Sequence, residues 1–347
     1  MRANPFLHHG PSRIYNPLTD RTLAAGDGQY EAFRAFVAGG KASDALVRDG
    51  WLADDGDDLS RRHHLKIVSI ETLTTCNQRC YFCPVSIAPR DDEAMPDAMF
   101  DSIVAQLGPF RSTIDAVFLQ SYNEPTADRR FVGFCTRLFE ARLPAAVLSN
   151  GTGLTPRNVE ALMRAGTLRF LCVNLSTLDR RRYIDDRGVD HLPVVLANLE
   201  SMRDLAVAME MRIMVLGRLD ETHRRDFEEI RDRFAGSRFE VAMHDVIDRA
   251  GWLDVGRKRT APIRRLAGCE LLGSRPLQHL HVTASGACVL CCQDYDADYV
   301  AGDLSKQTIV EVLEGDAMAM MRRMVYGIEE APDDFICRRC SYALSSD

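Results

Sequence analysis

From Ile67 onward the chain alternates short apolar runs with longer amphipathic stretches. The runs Ile67–Leu73, Ile114–Leu119, Ala145–Leu148, Arg169–Leu175, Met211–Leu216 and Phe239–Met243 read as strands. Asp97–Leu107, Arg129–Ala141, Pro156–Arg164, Pro193–Ala208 and Thr222–Phe234 read as the helices between them. Thr155 followed by Pro156 is a helix start, with a hydroxyl to cap and a proline at the first turn. Six such β–α units predict parallel strands joined by right-handed crossovers. In such α/β barrels the chemistry sits at the C-terminal ends of the strands.

The pattern differs at both ends. Tyr30 to Ala38 has helical spacing, with Phe33, Phe36 and Val37 on one side, and Ala45–Leu52 reads as a second short helix closed by Gly50. Asp54 to Asp58 is acidic and reads as a solvated turn. Beyond Ala250 the alternation stops and cysteines return. The chain therefore divides into a small N-terminal helical cap, residues 1–64, an α/β barrel, residues 65–250, and a C-terminal unit, residues 251–347.

Composition narrows the partners. A chain of 347 residues suits one large domain with additions. A net charge of −7 with no basic patch argues against nucleic acid. No stretch approaches a membrane span, and Met1 to Gly10 has no apolar signal core. Eleven cysteines without an export signal read as metal ligands in a reducing cytoplasm, not as disulfides.

The chemistry centres on Cys76-Asn77-Gln78-Arg79-Cys80-Tyr81-Phe82-Cys83. Three thiolates on a tight loop can hold three irons of a cubane and leave the fourth iron open. A zinc knot is the alternative, and it usually wants a fourth ligand. The loop resembles the C-x3-C-x-aromatic-C signature of the radical S-adenosylmethionine (SAM) enzymes, with Phe82 in the aromatic place. The resemblance runs from about Leu65 to the C-terminus and implies a partial (β/α)6 TIM-like barrel. It also implies a [4Fe–4S] cluster on Cys76, Cys80 and Cys83, SAM on the open iron, and an external one-electron reductant of flavodoxin or ferredoxin type.

The same resemblance assigns further residues. Gln120-Ser121-Tyr122-Asn123-Glu124-Pro125 stands where the family has G-G-E-P, so Glu124 is expected at the SAM amino group. Tyr122 and Asn123 replace the two glycines. Asn150 lies in an N-G-T turn, and Ser176 and Arg187 match the pair that binds the SAM carboxylate. Cys172, in the fourth strand, is a candidate hydrogen donor, though core packing is the simpler reading. Val215-Leu216-Gly217 would stand against adenine.

Cys269, Cys291, Cys337 and Cys340 resemble the SPASM/twitch extension, which implies one auxiliary [4Fe–4S] cluster. Cys288 and Cys292 remain alternatives to Cys291, and a four-cysteine zinc site remains an alternative to the cluster. Two [4Fe–4S] clusters are therefore expected. The substrate is expected to be a ribosomal peptide, oxidised or crosslinked. The alternative is a small hydroxylated metabolite, such as an aminocyclitol, sugar or nucleoside, dehydrogenated or epimerised. A non-catalytic iron–sulfur or zinc protein is the reading from another class.

Overall fold

The structure is a computed structural model and describes residues 1–205 and 209–346. The N-terminal segment holds β1 (Arg2–Ala3), β2 (His8–His9), β3 (Arg13–Asn16), β4 (Arg21–Ala24), α1 (Gly28–Val37), α2 (Asp44–Arg48) and β5 (Leu52–Ala53). The two expected helices form, but strands accompany them. β2, β3 and β4 make an antiparallel sheet, and β1 pairs with β5. Each strand is too short for alternation to show in the sequence. Leu7, Ile14, Leu23, Tyr30, Phe33, Leu46, Trp51 and Leu52 give this segment its own small core.

The barrel follows the expected order. Its strands are β6 (Ile67–Ile70), β7 (Ala116–Phe118), β8 (Ala145–Ser149), β9 (Phe170–Asn174), β10 (Glu210–Gly217) and β11 (Phe239–Asp245). All neighbours are parallel and in sequence order. The connecting helices are α3 (Asp97–Gln106), α4 (Phe131–Glu140), α5 (Pro156–Ala165), α6 (Arg180–Arg187), α7 (Leu192–Ser201) and α8 (Glu221–Arg233). The helix expected over Pro193–Ala208 is α7; it ends at Ser201, and residues 206–208 lie outside the described residues. Thr155 caps α5 as read, its hydroxyl accepting from the Asn158 N–H at 3.3 Å.

The core lies between strands and helices. Val117, Val147, Leu171, Val173, Ile213 and Val215 from the strands meet Phe100, Phe134, Leu162, Leu199 and Ile230 from the helices. Each such fully buried side chain contributes roughly 1.5–3 kcal/mol. Strands covered by helices on one face and closed into a barrel on the other read as near-continuous apolar runs, which is why they were legible.

The C-terminal segment holds β12 (Leu266–Cys269), α9 (Arg275–Gln278), β13 (His279–Val282), β14 (Ala287–Val289) and β15 (Val300–Asp303). It ends with α10 (Ile309–Leu313), α11 (Asp316–Val325) and β16 (Ala343–Ser345). β13 pairs parallel with β6, so the barrel sheet runs on through β13, β14 and β15 as one nine-stranded sheet. The residues after Ala250 thus cover the open edge of the barrel. His279 and His281, unassigned from sequence, lie buried in β13 around the Arg275 guanidinium at 2.8 and 3.2 Å. Burial holds both imidazoles well below their usual pKa. Among the described residues, no helix is long and apolar enough to cross a membrane.

Candidate functional site

Residues 76–83 leave the end of β6 as a loop docked on three neighbours. Asn77 donates to the Thr152 hydroxyl at 2.9 Å and accepts from Asn150 Nδ2 at 2.7 Å. Gln78 Nε2 donates to the Tyr183 hydroxyl at 2.8 Å. The Arg79 and Tyr81 N–H groups donate to the carbonyls of Arg187 and Asp186 at 2.8 and 3.0 Å. That last contact needs a tight end to α6. Gly188 supplies it with a φ of +71°, and a β-carbon there would lie 3.1 Å from Arg79 Cβ.

The loop forms one wall of a chamber of about 300 Å³. Cys76, Cys80 and Cys83 all line it, together with Phe82, Tyr122, Glu124, Asn150 and Arg187. The three thiols are free, and burial pushes Cys76 up to about 12. Such thiols ionise readily only beside a metal's positive charge.

Glu124 is buried and heavily bonded. Its Oε1 accepts from Ser149 Oγ at 2.7 Å, Thr126 Oγ1 at 2.5 Å and Thr126 N at 3.0 Å. Its Oε2 accepts only from Asn150 N, at 2.6 Å, which leaves an acceptor position free. Burial raises its pKa, against the bonds from Asn150, Thr126 and Ser149. Arg187, 1% exposed, donates through Nη2 to Ser176 Oγ at 2.6 Å and to Asn174 Oδ1 at 2.8 Å. Its ring neighbour is Phe82, 5.0 Å from the guanidinium carbon, and its Nε–H is buried without a partner. Free thiols, a spare carboxylate acceptor and an unpaired guanidinium N–H fit a thiolate-bound cluster and the two charged ends of an amino acid.

Some expected residues stand apart. Ser176 lines a neighbouring cavity and reaches the chamber only through Arg187. Cys172 is fully buried; it shares its strand face with Asn174 but is not among the chamber's lining residues. Cys135 is likewise a core residue of α4. Sequence reading passed over Glu71, Arg90, Asn174, Asp245 and Arg249. Glu71 is fully buried, takes both Arg90 amino groups at 3.0 and 2.6 Å, and accepts the Tyr122 N–H at 3.0 Å. Its place just past the first strand was the available signal. Asp245 lines the chamber at the end of β11, and its Oδ1 is shielded without a donor.

Cys269, Cys291, Cys337 and Cys340 line a second, narrow apolar cavity with Leu290, Val325, Ile336 and Tyr342. Cys288 lies opposite Val282 in β14, outside that lining, and Cys292 is half-buried beside it. Among the described residues, no three His, Cys, Asp or Glu side chains close on one point as a single ion needs. A cubane takes a wider cradle. Tyr342 lines both cavities.

The radical SAM superfamily model matches residues 70–232, and the iron–sulfur cluster-binding SPASM model matches residues 269–341. A curated relative from Niallia circulans, S-adenosyl-L-methionine-dependent 2-deoxy-scyllo-inosamine dehydrogenase, is 20% identical over 288 residues, 79% of this chain and 92% of the relative. The structure of Streptococcus suis SuiB bound to precursor peptide SuiA superposes with a TM-score of 0.59 at 13% identity, covering 94% of this chain and 89% of that one. BtrN in complex with AdoMet and 2-DOIA gives 0.52 at 17% identity, covering 76% and 87%. These likenesses agree with the partial barrel. The chain carries a radical SAM domain followed by a SPASM iron–sulfur domain, and is an oxidoreductase or modifying enzyme whose cofactors are SAM and [4Fe–4S] clusters.

Proposed function

We propose that this enzyme carries out a net oxidation, dehydrogenation or crosslinking, of a ribosomal peptide. The observation that carries the radical chemistry is one chamber lined by three free thiols, Glu124 and Arg187, with Ser176 holding Arg187 from the neighbouring cavity. Cys76, Cys80 and Cys83 would hold the cluster, which supplies the electron that cleaves SAM to a 5'-deoxyadenosyl radical able to take a substrate hydrogen. Glu124 Oε2 would accept from the SAM ammonium, and Arg187, through its unpartnered Nε–H, would donate to its carboxylate. Phe82, beside Arg187, and Asn150, which holds both Glu124 and Asn77, keep these groups in place. The enclosing walls would keep water from the radical.

Cys269, Cys291, Cys337 and Cys340 would hold the second cluster. Four thiolates fill all four irons, which suits accepting an electron rather than binding substrate. That favours oxidation over epimerisation, because among the described residues no thiol other than the first three lines the chamber. The peptide reading rests on the likeness of Tyr15-Asn16-Pro17-Leu18-Thr19 and Gly50-Trp51-Leu52 to the N-terminal segment of peptide-modifying radical SAM enzymes. The peptide-bound SuiB structure also spans more of this chain than BtrN does. The dehydrogenase relative favours the second reading, dehydrogenation of an aminocyclitol. A flavodoxin- or ferredoxin-type reductant and a reducing cytoplasm complete the picture. The test is product mass in light and heavy water. A loss of two hydrogens supports oxidation. Unchanged mass in light water, with one deuterium gained in heavy water, contradicts it.

A further inference from the structure

Tyr122 stands where the family motif has a glycine, and it touches the first cysteine set and the backbone next to Cys291 of the second. Its ring packs in a cluster with Val85, Cys76 and Cys83. Tyr295, in the same cluster, meets it edge-on at 4.7 Å. Its hydroxyl donates to the Cys292 carbonyl, one residue past Cys291. Its backbone N–H is fixed on Glu71 at 3.0 Å, and Glu124 follows two residues later. The ring is 7% exposed, and the Arg90 and Arg249 guanidiniums lie 5.8 and 5.6 Å from its centre. One side chain thus spans the loop that would bind SAM and the loop that would bind the auxiliary cluster.

We propose that Tyr122 is a positioning residue that couples SAM binding to the state of the auxiliary site. This rests on the SAM and cluster sites proposed above. A glycine leaves the two loops independent. A buried, hydrogen-bonded tyrosine makes the place of one depend on the place of the other. If the 291–292 loop settles only when its cluster is bound, the 120–124 loop settles with it, and SAM binds better. By linkage, SAM then acts back on the auxiliary site.

The test is a double-mutant cycle on reconstituted holoenzyme, read as SAM affinity by titration. The four forms are parent, Tyr122→Phe, Cys337→Ala/Cys340→Ala, and all three changes together. Tyr122→Phe keeps the ring and removes only the bond to Cys292. Loss of the auxiliary cluster is expected to weaken SAM roughly tenfold in the parent background. In the Tyr122→Phe background the loss should be under about twofold. Equal losses in both backgrounds, or none in either, overturn the proposal.

A second measurement serves if the cysteine variant does not fold. SAM should shift the electron paramagnetic resonance signal of the auxiliary cluster in the parent and leave it in place in Tyr122→Phe. The same response in both, including none in both, overturns the coupling. A parent that does not bind SAM overturns the SAM site and the coupling with it. A parent that binds SAM without coupling overturns only the role of Tyr122.

Discussion

The Arg187 guanidinium and the Ser176 hydroxyl lie 2.6 Å apart, at opposite ends of a turn and a helix eleven residues long. Asn174 holds the same Nη2 at 2.8 Å, so the fork is aimed before any ligand arrives. A preset fork loses less entropy on binding than a free one. Arg187→Lys keeps the charge and loses the fork. It should weaken SAM binding by tenfold or more, with iron content unchanged. Ser176→Ala should cost less, because Asn174 still orients the group. Titration of SAM into the reconstituted variants checks the order.

Glu124 is the second anchor. Glu124→Gln would set an amide N–H₂ against either the Asn150 N–H or the Thr126 and Ser149 donors. A buried donor left unpaired in this way costs about 1–3 kcal/mol. Because Glu124 ties the β7 end to the β8 end, the variant should lose SAM affinity and some thermal stability together. The four C-terminal thiols are untouched, so their share of the iron should stay. Iron assay beside SAM titration separates the two effects.

The seven cysteines proposed as ligands divide three and four. Replacing Cys76, Cys80 and Cys83 with Ala should halve the iron and abolish SAM cleavage. Replacing Cys337 and Cys340 should remove the other half and leave a cluster whose signal still responds to SAM. Iron unchanged in either variant, or zinc in the second set, would break this division.

Much of this was legible because barrel strands buried on both faces are apolar runs, and because metal ligands cluster at short spacing. Ile67–Ile70 and Phe170–Asn174 show the first, and residues 76–83 show the second. β13 shows the limit. His279-Leu280-His281-Val282 reads as a polar mixture, yet all four residues are buried, with Arg275 meeting one nitrogen of each imidazole from outside the strand. Glu71 was missed for a similar reason. A lone acid after a strand means nothing until Arg90, nineteen residues on, folds back to it. Tyr122 was seen as a departure from a motif, but its partner Cys292 lies 170 residues away.

The N-terminal segment is fastened by a neutral histidine. His8 Nε2 lies 2.7 Å from the Tyr326 hydroxyl, and its ring stacks on that tyrosine at 5.7 Å. Burial, with His9 nearby, lowers its pKa from 6.5 to about 4. The folded state therefore binds fewer protons than the unfolded chain between those values. Stability should be full above about pH 6.5 and fall as the pH drops toward 4, by at most about 3 kcal/mol. Denaturant melts at pH 7 and pH 5 should show the loss, and His8→Asn should shrink it.

The central claim is that the thiol loop, Glu124 and Arg187 together make this chain cleave SAM reductively. The most direct measurement is 5'-deoxyadenosine formed by anaerobically reconstituted enzyme given dithionite and SAM. The account predicts 5'-deoxyadenosine from the parent and none from the variant lacking Cys76, Cys80 and Cys83. A fully reconstituted parent that yields no 5'-deoxyadenosine would contradict it.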